Sequence, residues 1–490
     1  MEYEGPPAHS SSMSTRSRST APATPTEEYP RLLVAGTSSS AGKTLVAAGL
    51  LEAFRAEGGP VAGYKCGPDF LDPAVLSGAA RTPARNLDPF LLSASLLRTS
   101  FVAHAPPGPR GLSVVEGVMG ILDTRSWGTS SADVADLLSL PIVLVLDARS
   151  SSETLGMVAA GARKVLGAPP LGGFVLNGVA EGWHSRATRE AVEKASQLPV
   201  LGTLPWSPLL HLPERHLGLV NPRTDRGFRF GRWLRTLGGM VRERFDLPAL
   251  RSVARSAPRL RAPPAVSSAA ARGGRRSVVA VARDEAFSFL YPENLEVLER
   301  AGARVRTFSP VRGDPIPAAA EALYLPGGYP ELFGRELSDN GPLRREVRQW
   351  VREGRPLYAE CGGMMFLLHS LRDGEGRTFP MAGAFPGRTA LSPRLGGFGY
   401  VTARARRPCP LGGKGAMVRG HLYHHSVREA PRDQSWALTL RPRAGGAPLA
   451  DGYGTGAILA SYLHVRLDTV DGLAARFLGD FAGPGSERDA

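Results

Sequence analysis

Short apolar runs separated by longer segments of mixed polarity recur along two regions of the chain. In the first region, from Arg31 to about Arg244, the runs of strand length are RLLVAG, VAGYK, LSVVEG, PIVLVLD and LGGFVLN. The pattern restarts at Ser277 with SVVAVA, helix-like PENLEVLERAG, RVRTF, EALYLPGG and PLYAECGG. Buried strands that alternate with helices are typical of a parallel sheet in an α/β fold. The sequence therefore predicts two α/β domains, residues 30–246 and 277–480.

The segments outside these domains have a different composition. Residues 1–29 are rich in Ser, Thr, Pro and Ala without periodic apolar positions, which predicts a disordered tail. A transit peptide is the rival interpretation, but the four glutamates of this segment argue against it. Residues 247–276 are dominated by Pro, Ala, Ser and Arg, so we predict a surface linker, and residues 481–490 form a second tail.

The charge balance of the chain is strongly basic. Its 490 residues include 59 Lys and Arg against 45 Asp and Glu, a formal net charge of +14. This excess suggests nucleic acid, an anionic membrane or a polyanionic small molecule as partner, and composition alone does not choose among them. Only five of the basic residues are lysines, so a lysine within a motif is informative: Lys43, Lys65, Lys164, Lys194 and Lys414.

The cysteines and the apolar runs indicate where the protein works. Three cysteines without a CxxC pair predict neither a disulfide framework nor a zinc site, which favours the reducing cytoplasm. No apolar stretch has the length of a membrane span, and no signal-peptide core is evident. We expect a soluble cytoplasmic protein that does not bind a membrane.

A phosphate-binding loop follows the first predicted strand. The segment Gly36-Thr-Ser-Ser-Ser-Ala-Gly42-Lys43-Thr44 lies between a strand and a helix, where backbone N–H groups and the helix N-terminus can hold phosphates. In the usual motif Lys43 reaches the β- and γ-phosphates and Thr44 binds Mg²⁺. The glycine expected six positions before the lysine is replaced by Thr37. The loop is therefore a variant that predicts ATP and Mg²⁺ as ligands.

Polar residues at other strand ends extend this predicted nucleotide site. Glu116 ends LSVVEG, where a carboxylate can hold Mg²⁺ or its water shell, and Asp69 is assigned to the same metal or phosphate geometry. Lys65 and Asp72 lie on the same turn-rich loop as Asp69. Asn177 ends LGGFVLN and can bind an adenine edge, although a lone Asn at that position is more often a turn residue.

A cysteine of the second domain stands at a strand-to-helix turn. PLYAE runs into Cys361 and two glycines, which predicts a nucleophile elbow with a thiolate favoured by the helix N-terminus. The small residue two positions earlier is Ala359 instead of the usual Gly. His464, at the end of ILASYLH, is the candidate base. Backbone donors near Gly328 and Gly362 are the candidate oxyanion hole, whereas Cys66 and Cys409 have no elbow and are interpreted as structural.

Ten motifs in one order make the chain resemble the ATP-dependent, glutamine-hydrolysing cobyrinate (or hydrogenobyrinate) a,c-diamide synthases of cobalamin biosynthesis. The likeness covers nearly all of residues 31–480 and includes a segment around Arg215 and His216. It implies a dethiobiotin-synthetase-like P-loop domain followed by a class I glutamine amidotransferase domain. The motifs are GTSSSAGKT, KCGPDFLDP, RNLDPF, EGVMG, LPERHLGLV, AFSFLYPENLEVLE, FSP, PGGYPEL, AECGGMM and SYLH.

The resemblance implies a complete reaction. Cys361 attacks the side-chain amide of L-glutamine, His464 shuttles protons, and ammonia is released for the first domain. ATP there phosphorylates the a and c carboxylates of a polycarboxylate corrinoid, and ammonia displaces phosphate to leave amides. Residues matching positions that line this corrinoid site are Lys65, Asp69, Asp72, Asn86 and Asp88. The resemblance implies no nucleic-acid partner, and it leaves open whether the protein forms a homodimer.

Three departures from the family pattern affect the details. The acid that class I glutaminases usually carry two residues after the histidine is replaced by Arg466, so we predict a Cys–His dyad whose hydrolysis is slow or gated by the partner domain. The GHEFHYS-like segment reads GHLYHHS, with Leu422 in place of an acid. EGVMGLYDG reads EGVMGILDT, with Asp123 retained. Either of the last two changes can alter corrinoid recognition.

Other functions remain open at this stage. A sibling amidase acting on other corrinoid side chains, such as cobyric acid synthase, or on a nickel tetrapyrrole shares the same domains, although AFSFLYPENL and RHLGL favour the diamide synthases. Hydrogenobyrinate is an alternative to cobyrinate. A non-catalytic partitioning-type P-loop ATPase is a different class, and it predicts no role for Cys361.

Overall fold

A computed structural model describes residues 26–166, 170–212, 214–215, 218–219, 229–261 and 277–478. Its first half contains a seven-stranded, wholly parallel sheet in the order β3-β2-β4-β1-β5-β6-β7. Nearly every residue of these strands is buried because helices cover both faces, which explains the continuous apolar runs. The strands are β1 (Arg31–Gly36), β2 (Val61–Cys66), β3 (Arg85–Leu87), β4 (Leu112–Glu116), β5 (Ile142–Asp147), β6 (Leu171–Val179) and β7 (Val200–Pro205).

Helices cover the two faces of this sheet. One of them, formed by residues that composition assigns to the linker, buries Leu247, Leu250 and Ala254 in the first hydrophobic core. The ordered first domain therefore extends through Arg255, and residues 262–276 of the predicted linker lie outside the described residues. The helices are α1 (Lys43–Ala56), α2 (Leu71–Ala80), α3 (Ala94–Val102), α4 (Ser131–Leu138), α5 (Leu155–Leu166), α6 (Trp183–Ser196), α7 (Phe230–Arg244) and α8 (Leu247–Arg255).

The second half is built on a five-stranded parallel sheet in the order β9-β8-β10-β11-β20. Its last strand arrives about one hundred residues after its neighbour, so residues distant in sequence meet at the carboxyl edge. The strands are β8 (Val278–Ala282), β9 (Arg304–Phe308), β10 (Ala320–Leu325), β11 (Leu357–Glu360) and β20 (Ile458–Ser461). The helices are α9 (Pro292–Arg300), α10 (Gly334–Asp339), α11 (Gly341–Arg352), α12 (Gly362–Leu367) and α13 (Leu473–Phe477).

Two small four-stranded sheets lie between β11 and β20 in sequence. The sequence predicts a helix over MMFLLHSL, but the helix ends at Leu367 and a strand begins at Ser370. The two sheets have the orders β13-β12-β14-β17 and β16-β15-β18-β19. Their strands are β12 (Ser370–Arg372), β13 (Thr378–Pro380), β14 (Arg388–Leu391), β15 (Gly397–Ala405), β16 (Met417–His424), β17 (Ser426–Glu429), β18 (Leu438–Pro442) and β19 (Leu449–Asp451).

Side chains connect the two domains directly. Arg85 pairs with Glu296 at 2.6 Å, and the Tyr400 hydroxyl donates to Asp88 at 2.7 Å. Arg419 donates to the Phe90 carbonyl oxygen at 3.0 Å. These contacts join the first domain to α9 and to the small sheet that contains Tyr400 and Arg419. None of the helices in the described ranges is long and apolar enough to cross a bilayer.

Candidate active sites

The phosphate-binding loop joins β1 to α1 and depends on two glycines. Gly42 has φ 99°, a conformation that favours glycine, and a Cβ there would lie 2.1 Å from the amide nitrogen of Asn177. The Asn177 amide donates to the Ala41 carbonyl oxygen at 3.0 Å, so this residue supports the loop from β6. A Cβ on Gly36 would lie 3.1 Å from two neighbouring side chains, and Thr37 is exposed on the loop.

The start of α1 can accept phosphate. Gly42 caps this helix without a side-chain acceptor, so no side chain within the described ranges covers the first-turn N–H groups. Lys43 is buried and its ammonium bends back to the Ser38 carbonyl oxygen at 2.8 Å. Burial and the nearby Lys65 lower the pKa of Lys43. The uncapped start of α1 together with the Lys43 ammonium suits the phosphates of a nucleotide.

A buried charge cluster lies beside Thr44. The Thr44 hydroxyl donates to Glu116 at 2.7 Å and lies 3.3 Å from Asp72. Lys65 lies between the two acids, 2.6 Å from Asp72 and 2.9 Å from Glu116. Burial lowers the pKa of Lys65, but the two carboxylates outweigh it and the pKa is raised. Burial and Asp72 raise the pKa of Glu116.

The predicted Asp69 lies outside this cluster's hydrogen bonds to Thr44. Its two carboxylate oxygens accept backbone N–H groups at the start of α2, at 3.0 and 3.3 Å. Asp72, expected from the resemblance to face substrate, lies beside Thr44 and Lys65, whereas Asp69 holds the backbone at the start of α2.

Asn86 and Asp88 lie at the end of β3, where Asn86 supports the loop that follows β2. The Asn86 amide donates to the carbonyl oxygens of Gly67 and Asp69 at 2.8 and 2.7 Å. Asp88 accepts two backbone N–H groups through one oxygen and the Tyr400 hydroxyl through the other. Both residues are almost fully buried. Their side chains therefore fix the loop conformation in this structure instead of facing an open site.

The residues beside Thr44 are suited to Mg²⁺ only in part. No group of three or more His, Cys, Asp or Glu side chains within the described ranges is arranged to hold a metal ion. One oxygen of Glu116 is nevertheless buried without a hydrogen-bond partner, and hydroxyl and carboxylate oxygens suit Mg²⁺ when phosphates supply the remaining ligands. The donor set of Thr44, Asp72 and Glu116 fits a magnesium ion brought in with a nucleotide.

The second centre is the turn between β11 and α12. Cys361 has φ 42° and ψ −104°, an unusual conformation for a residue other than glycine and one that nucleophile elbows adopt. A Cβ on Gly363 would lie 2.1 Å from the Leu325 carbonyl oxygen, and a Cβ on Gly362 would lie 3.0 Å from the Gly328 nitrogen. The two predicted oxyanion segments, at Gly328 and Gly362, are therefore neighbours.

The environment of the Cys361 thiol favours its protonated form. Burial, followed by the charge of Glu331, raises the pKa of this thiol above its usual value. The Gly362 backbone N–H, at the start of α12, acts in the opposite direction and lowers this pKa. Cys361, Gly328, Glu331 and Tyr423 line one pocket, and burial raises the pKa of Glu331 to about 7.

His464 lies three residues beyond β20 and is completely buried. Its backbone exchanges two hydrogen bonds with His421, at 3.0 and 3.1 Å, and the two rings stack with centroids 5.0 Å apart. A Cβ on Gly327 would lie 2.4 Å from the His464 ring. Neither ring nitrogen has a hydrogen-bond partner among the described residues, so the predicted pair with Cys361 is not hydrogen-bonded in this structure. Such bonds often form only with substrate present.

Phe70 links the two centres. This residue lies between Asp69 and the start of α2, yet its ring contacts four rings of the second domain: Phe289 at 5.1 Å, Tyr291 at 4.6 Å, His464 at 5.2 Å and His421 at 5.7 Å. The Tyr291 hydroxyl also donates to the Pro68 carbonyl oxygen at 3.0 Å. One short segment, from the end of β2 to the start of α2, therefore carries Lys65 and Asp72 beside Thr44 and Phe70 beside His464.

The structure shows where the residues that depart from the family pattern lie. Arg466 is buried at the domain contact, where it pairs with Asp468 at 2.7 Å and donates to the Asn86 carbonyl oxygen at 3.2 Å. Leu422 joins the hydrophobic core of the second domain. Asp123 accepts the Gly120 N–H at 2.7 Å and shapes its own turn.

Sequence reasoning missed three residues of these centres: Phe70, Glu331 and Glu360, which lies 3.5 Å from His464. All three belong to quoted motifs, KCGPDFLDP, PGGYPEL and AECGGMM. An apolar residue within a polar loop was the available signal for Phe70. Nothing local distinguishes the two glutamates, since only their partners from other strands make them notable.

Comparison with known proteins agrees with this division. Residues 32–220 match the CobQ/CobB/MinD/ParA nucleotide binding domain, and residues 278–471 match the CobB/CobQ-like glutamine amidotransferase domain. The cobyrinate a,c-diamide synthase of Dehalococcoides mccartyi is 35% identical over 459 residues, 92% of this chain and 98% of that protein. The synthase of Syntrophotalea carbinolica is 36% identical over 455 residues, with the same shares. That of Methanothermobacter thermautotrophicus is 33% identical over 454 residues, 91% and 98% of the two chains.

Relatives that share a third of their residues over almost their whole length, together with both domain matches, establish the family. The order of the two domains is the one predicted from the motifs. The chain belongs to the cobyrinate a,c-diamide synthase family of glutamine-dependent ligases.

Proposed function

We propose that this protein converts the a and c carboxylates of cobyrinate into amides, with ammonia from glutamine and energy from ATP. The observation that carries the proposal is the segment of residues 64–73, from the end of β2 to the start of α2, which contacts both centres through Phe70 on one side and Lys65 and Asp72 on the other. An enzyme that makes ammonia in one domain and consumes it in the other requires such a connection. The names of the full-length relatives supply the substrate.

The glutamine half of the reaction uses Cys361 and His464. The sulfur attacks the side-chain amide carbon of glutamine while His464 takes the thiol proton and then delivers it to the departing ammonia. Backbone N–H groups at Gly328 and Gly362 stabilise the oxyanion of the tetrahedral intermediate. Water then hydrolyses the thioester and releases glutamate. Because burial disfavours the thiolate, hydrolysis depends on a base brought into place with substrate.

Glu331 is suited to recognising the amino acid. Its carboxylate is buried in the Cys361 pocket, and burial raises its pKa to about 7. The α-ammonium group of glutamine would compensate that carboxylate, and a substrate lacking the group would leave it unpaired. Such a pairing favours glutamine over simple amides.

The ATP half of the reaction activates a poor electrophile. Gly36, Thr37, Gly42, Lys43 and Thr44 hold the phosphates, and Asn177 keeps the loop in shape beside the adenine. A substrate carboxylate oxygen attacks the γ-phosphorus, ADP leaves, and ammonia then displaces phosphate from the acyl carbon. Mg²⁺, bound by Thr44, Asp72 and Glu116, would neutralise phosphate charge. Lys65 would attract the substrate carboxylate, while Asp69, Asn86 and Asp88 hold its loop.

The direct test is an assay of the purified protein with ATP, Mg²⁺ and glutamine, against cobyrinate and hydrogenobyrinate separately. We expect two amidations of cobyrinate by mass, whereas four would indicate a cobyric acid synthase. A heavy-oxygen label in the substrate carboxylates should appear in the released phosphate if acyl phosphates form. Turnover of neither corrinoid would refute the proposed substrate.

Cys361→Ser separates the two halves. We expect this variant to lose glutamate release while it retains amidation with added ammonia. The result would exclude a nucleotide switch of the partitioning type, in which Cys361 has no role. Glutamate release by the variant would refute the assignment of Cys361 as nucleophile.

A further inference from the structure

The ring of His464 has one charged neighbour. Its Nδ1 atom lies 3.5 Å from a carboxylate oxygen of Glu360, and both side chains are almost completely buried. Neither this nitrogen nor that oxygen has a hydrogen-bond partner among the described residues. A buried polar atom without a partner is costly, and a small rotation of either side chain would satisfy both.

The backbone holds Glu360 between the nucleophile and the base. Glu360 is the residue before Cys361 and pairs with Ser461 of β20, whose carbonyl oxygen accepts the Cys361 N–H at 2.7 Å. Its second carboxylate oxygen accepts the backbone N–H of Val465 at 3.2 Å, one residue after His464. The strand pairing thus sets the distance from this carboxylate to the imidazole.

The other acids near His464 have different partners. Arg466 pairs with Asp468 and Glu293 at the domain contact, and Glu331 faces the Cys361 pocket. Tyr324 and Tyr358 face Glu360, and burial together with the Glu360 charge raises the pKa of each phenol, which keeps both neutral. Within the described ranges, His464 is the basic side chain that lies within ion-pair distance of Glu360.

We infer that Glu360 is a positioning residue that completes a Cys361–His464–Glu360 triad, an inference that rests on the glutamine hydrolysis proposed above. The carboxylate accepts the Nδ1–H of His464, which leaves Nε2 unprotonated and able to take the Cys361 proton. When Nε2 has taken that proton, the negative charge of Glu360 stabilises the imidazolium until the proton passes to ammonia. The dyad predicted from Arg466 is thereby replaced by a triad whose acid comes from the strand before the nucleophile.

The test compares Glu360→Gln with the unmodified full-length protein. The amide keeps the shape and an acceptor for the Val465 N–H but removes the charge. We expect kcat for glutamate release to fall about 10- to 100-fold, as when a histidine loses its carboxylate partner, with KM for glutamine within about twofold. Ammonia-dependent amidation should be unchanged. Asp373→Asn, a buried carboxylate in the turn between β12 and β13, is the matched control and should leave kcat unchanged.

A double variant distinguishes positioning from general damage. If Glu360 acts through His464, then Glu360→Gln combined with His464→Ala should be no slower than His464→Ala alone. Equal kcat in Glu360→Gln and the unmodified protein, fully multiplicative losses in the double variant, or a parallel loss of ammonia-dependent amidation would each overturn the inference. If the Gln variant does not fold, Glu360→Asp replaces it: a reduced kcat with unchanged ammonia-dependent amidation supports the triad, and an unchanged kcat overturns it. Absence of Cys361-dependent glutamate release in the unmodified protein would instead refute the proposed function.

Discussion

Removal of the Phe70 ring should separate glutamine hydrolysis from amidation. The ring lies against Phe289, Tyr291, His421 and His464, with centroid distances from 4.6 to 5.7 Å, and packs on the small apolar cluster that contains Leu71. Phe70→Ala would leave the backbone of the loop and its polar contacts intact. The loop would then be held against the second domain by far less contact area.

The size of the effect follows from these contacts. Each aromatic pair contributes about 0.5–1.5 kcal/mol beyond burial, and truncation of a fully buried Phe costs about 3–5 kcal/mol. Since Phe70 is only half-buried, we expect the docked loop to lose about 3 kcal/mol. At about 1.4 kcal/mol per tenfold change, the ratio of docked to undocked loop falls by a factor of about 100.

The assay is the ratio of glutamate released to amide formed. It should be near one in the unmodified protein and well above one in Phe70→Ala, because ammonia escapes before it reaches the activated carboxylate. Amidation with added ammonia should persist. Phe379→Ala, another half-buried ring that packs on Gly334 within the second domain, is the matched control. A ratio that stays near one in Phe70→Ala, with a loss of thermal stability equal to the control, would refute the coupling role of this ring.

Three further changes test the nucleotide loop, the domain contact and the glutamine pocket. Gly42→Ala places a Cβ 2.1 Å from the amide nitrogen of Asn177, at a residue with a positive φ. ATP affinity measured by calorimetry should therefore fall at least about tenfold. Gly239→Ala, which has open space around its Cβ, is the control and should leave ATP affinity unchanged. Arg466→Met leaves the buried Asp468 without its cation and Glu293 with Arg85 at 3.6 Å, and it should destabilise the protein by about 3–5 kcal/mol in urea unfolding. The exposed Arg377→Met should leave the free energy of unfolding nearly unchanged. Burial raises the pKa of Glu331 to about 7, so the native state binds the extra proton and stability should fall as pH rises from about 4.5 to 7. Glu331→Gln should remove about 3 kcal/mol of that loss, and an identical pH dependence of melting temperature in both proteins would contradict the burial of this charge.

Local motifs predicted the two centres because their geometry depends on neighbours in sequence. The loop from Gly36 to Thr44 needs a strand, small residues and a helix in succession, and the structure has all three. The same holds for the turn at Cys361. The two parallel sheets could also be predicted from the sequence, because strands that are covered on both faces are apolar along their whole length.

Features that depend on contacts between distant residues could not be predicted from local motifs. The sheet of β13, β12, β14 and β17 has short, half-exposed strands whose apolar positions do not alternate clearly. The contacts of Asp69 and Asp72 also depend on tertiary packing, since Asp69 accepts backbone N–H groups at the start of α2 while Asp72 pairs with Lys65. The composition of residues 247–255 is typical of a linker, but in the structure these residues form α8 and bury apolar side chains in the core of the first domain.

The sequence by itself determined the two domains and their order, and it pointed to the phosphate loop and the candidate nucleophile, because each is encoded by contiguous residues whose spacing carries the chemistry. Only the tertiary structure decided what surrounds the base. Glu360 and His464 are more than one hundred residues apart and meet because β11 and β20 pair side by side. Phe70 contacts His464 from the other domain. A side-chain contact across a sheet edge or a domain boundary depends on tertiary packing, and such packing produces no periodic pattern in the sequence.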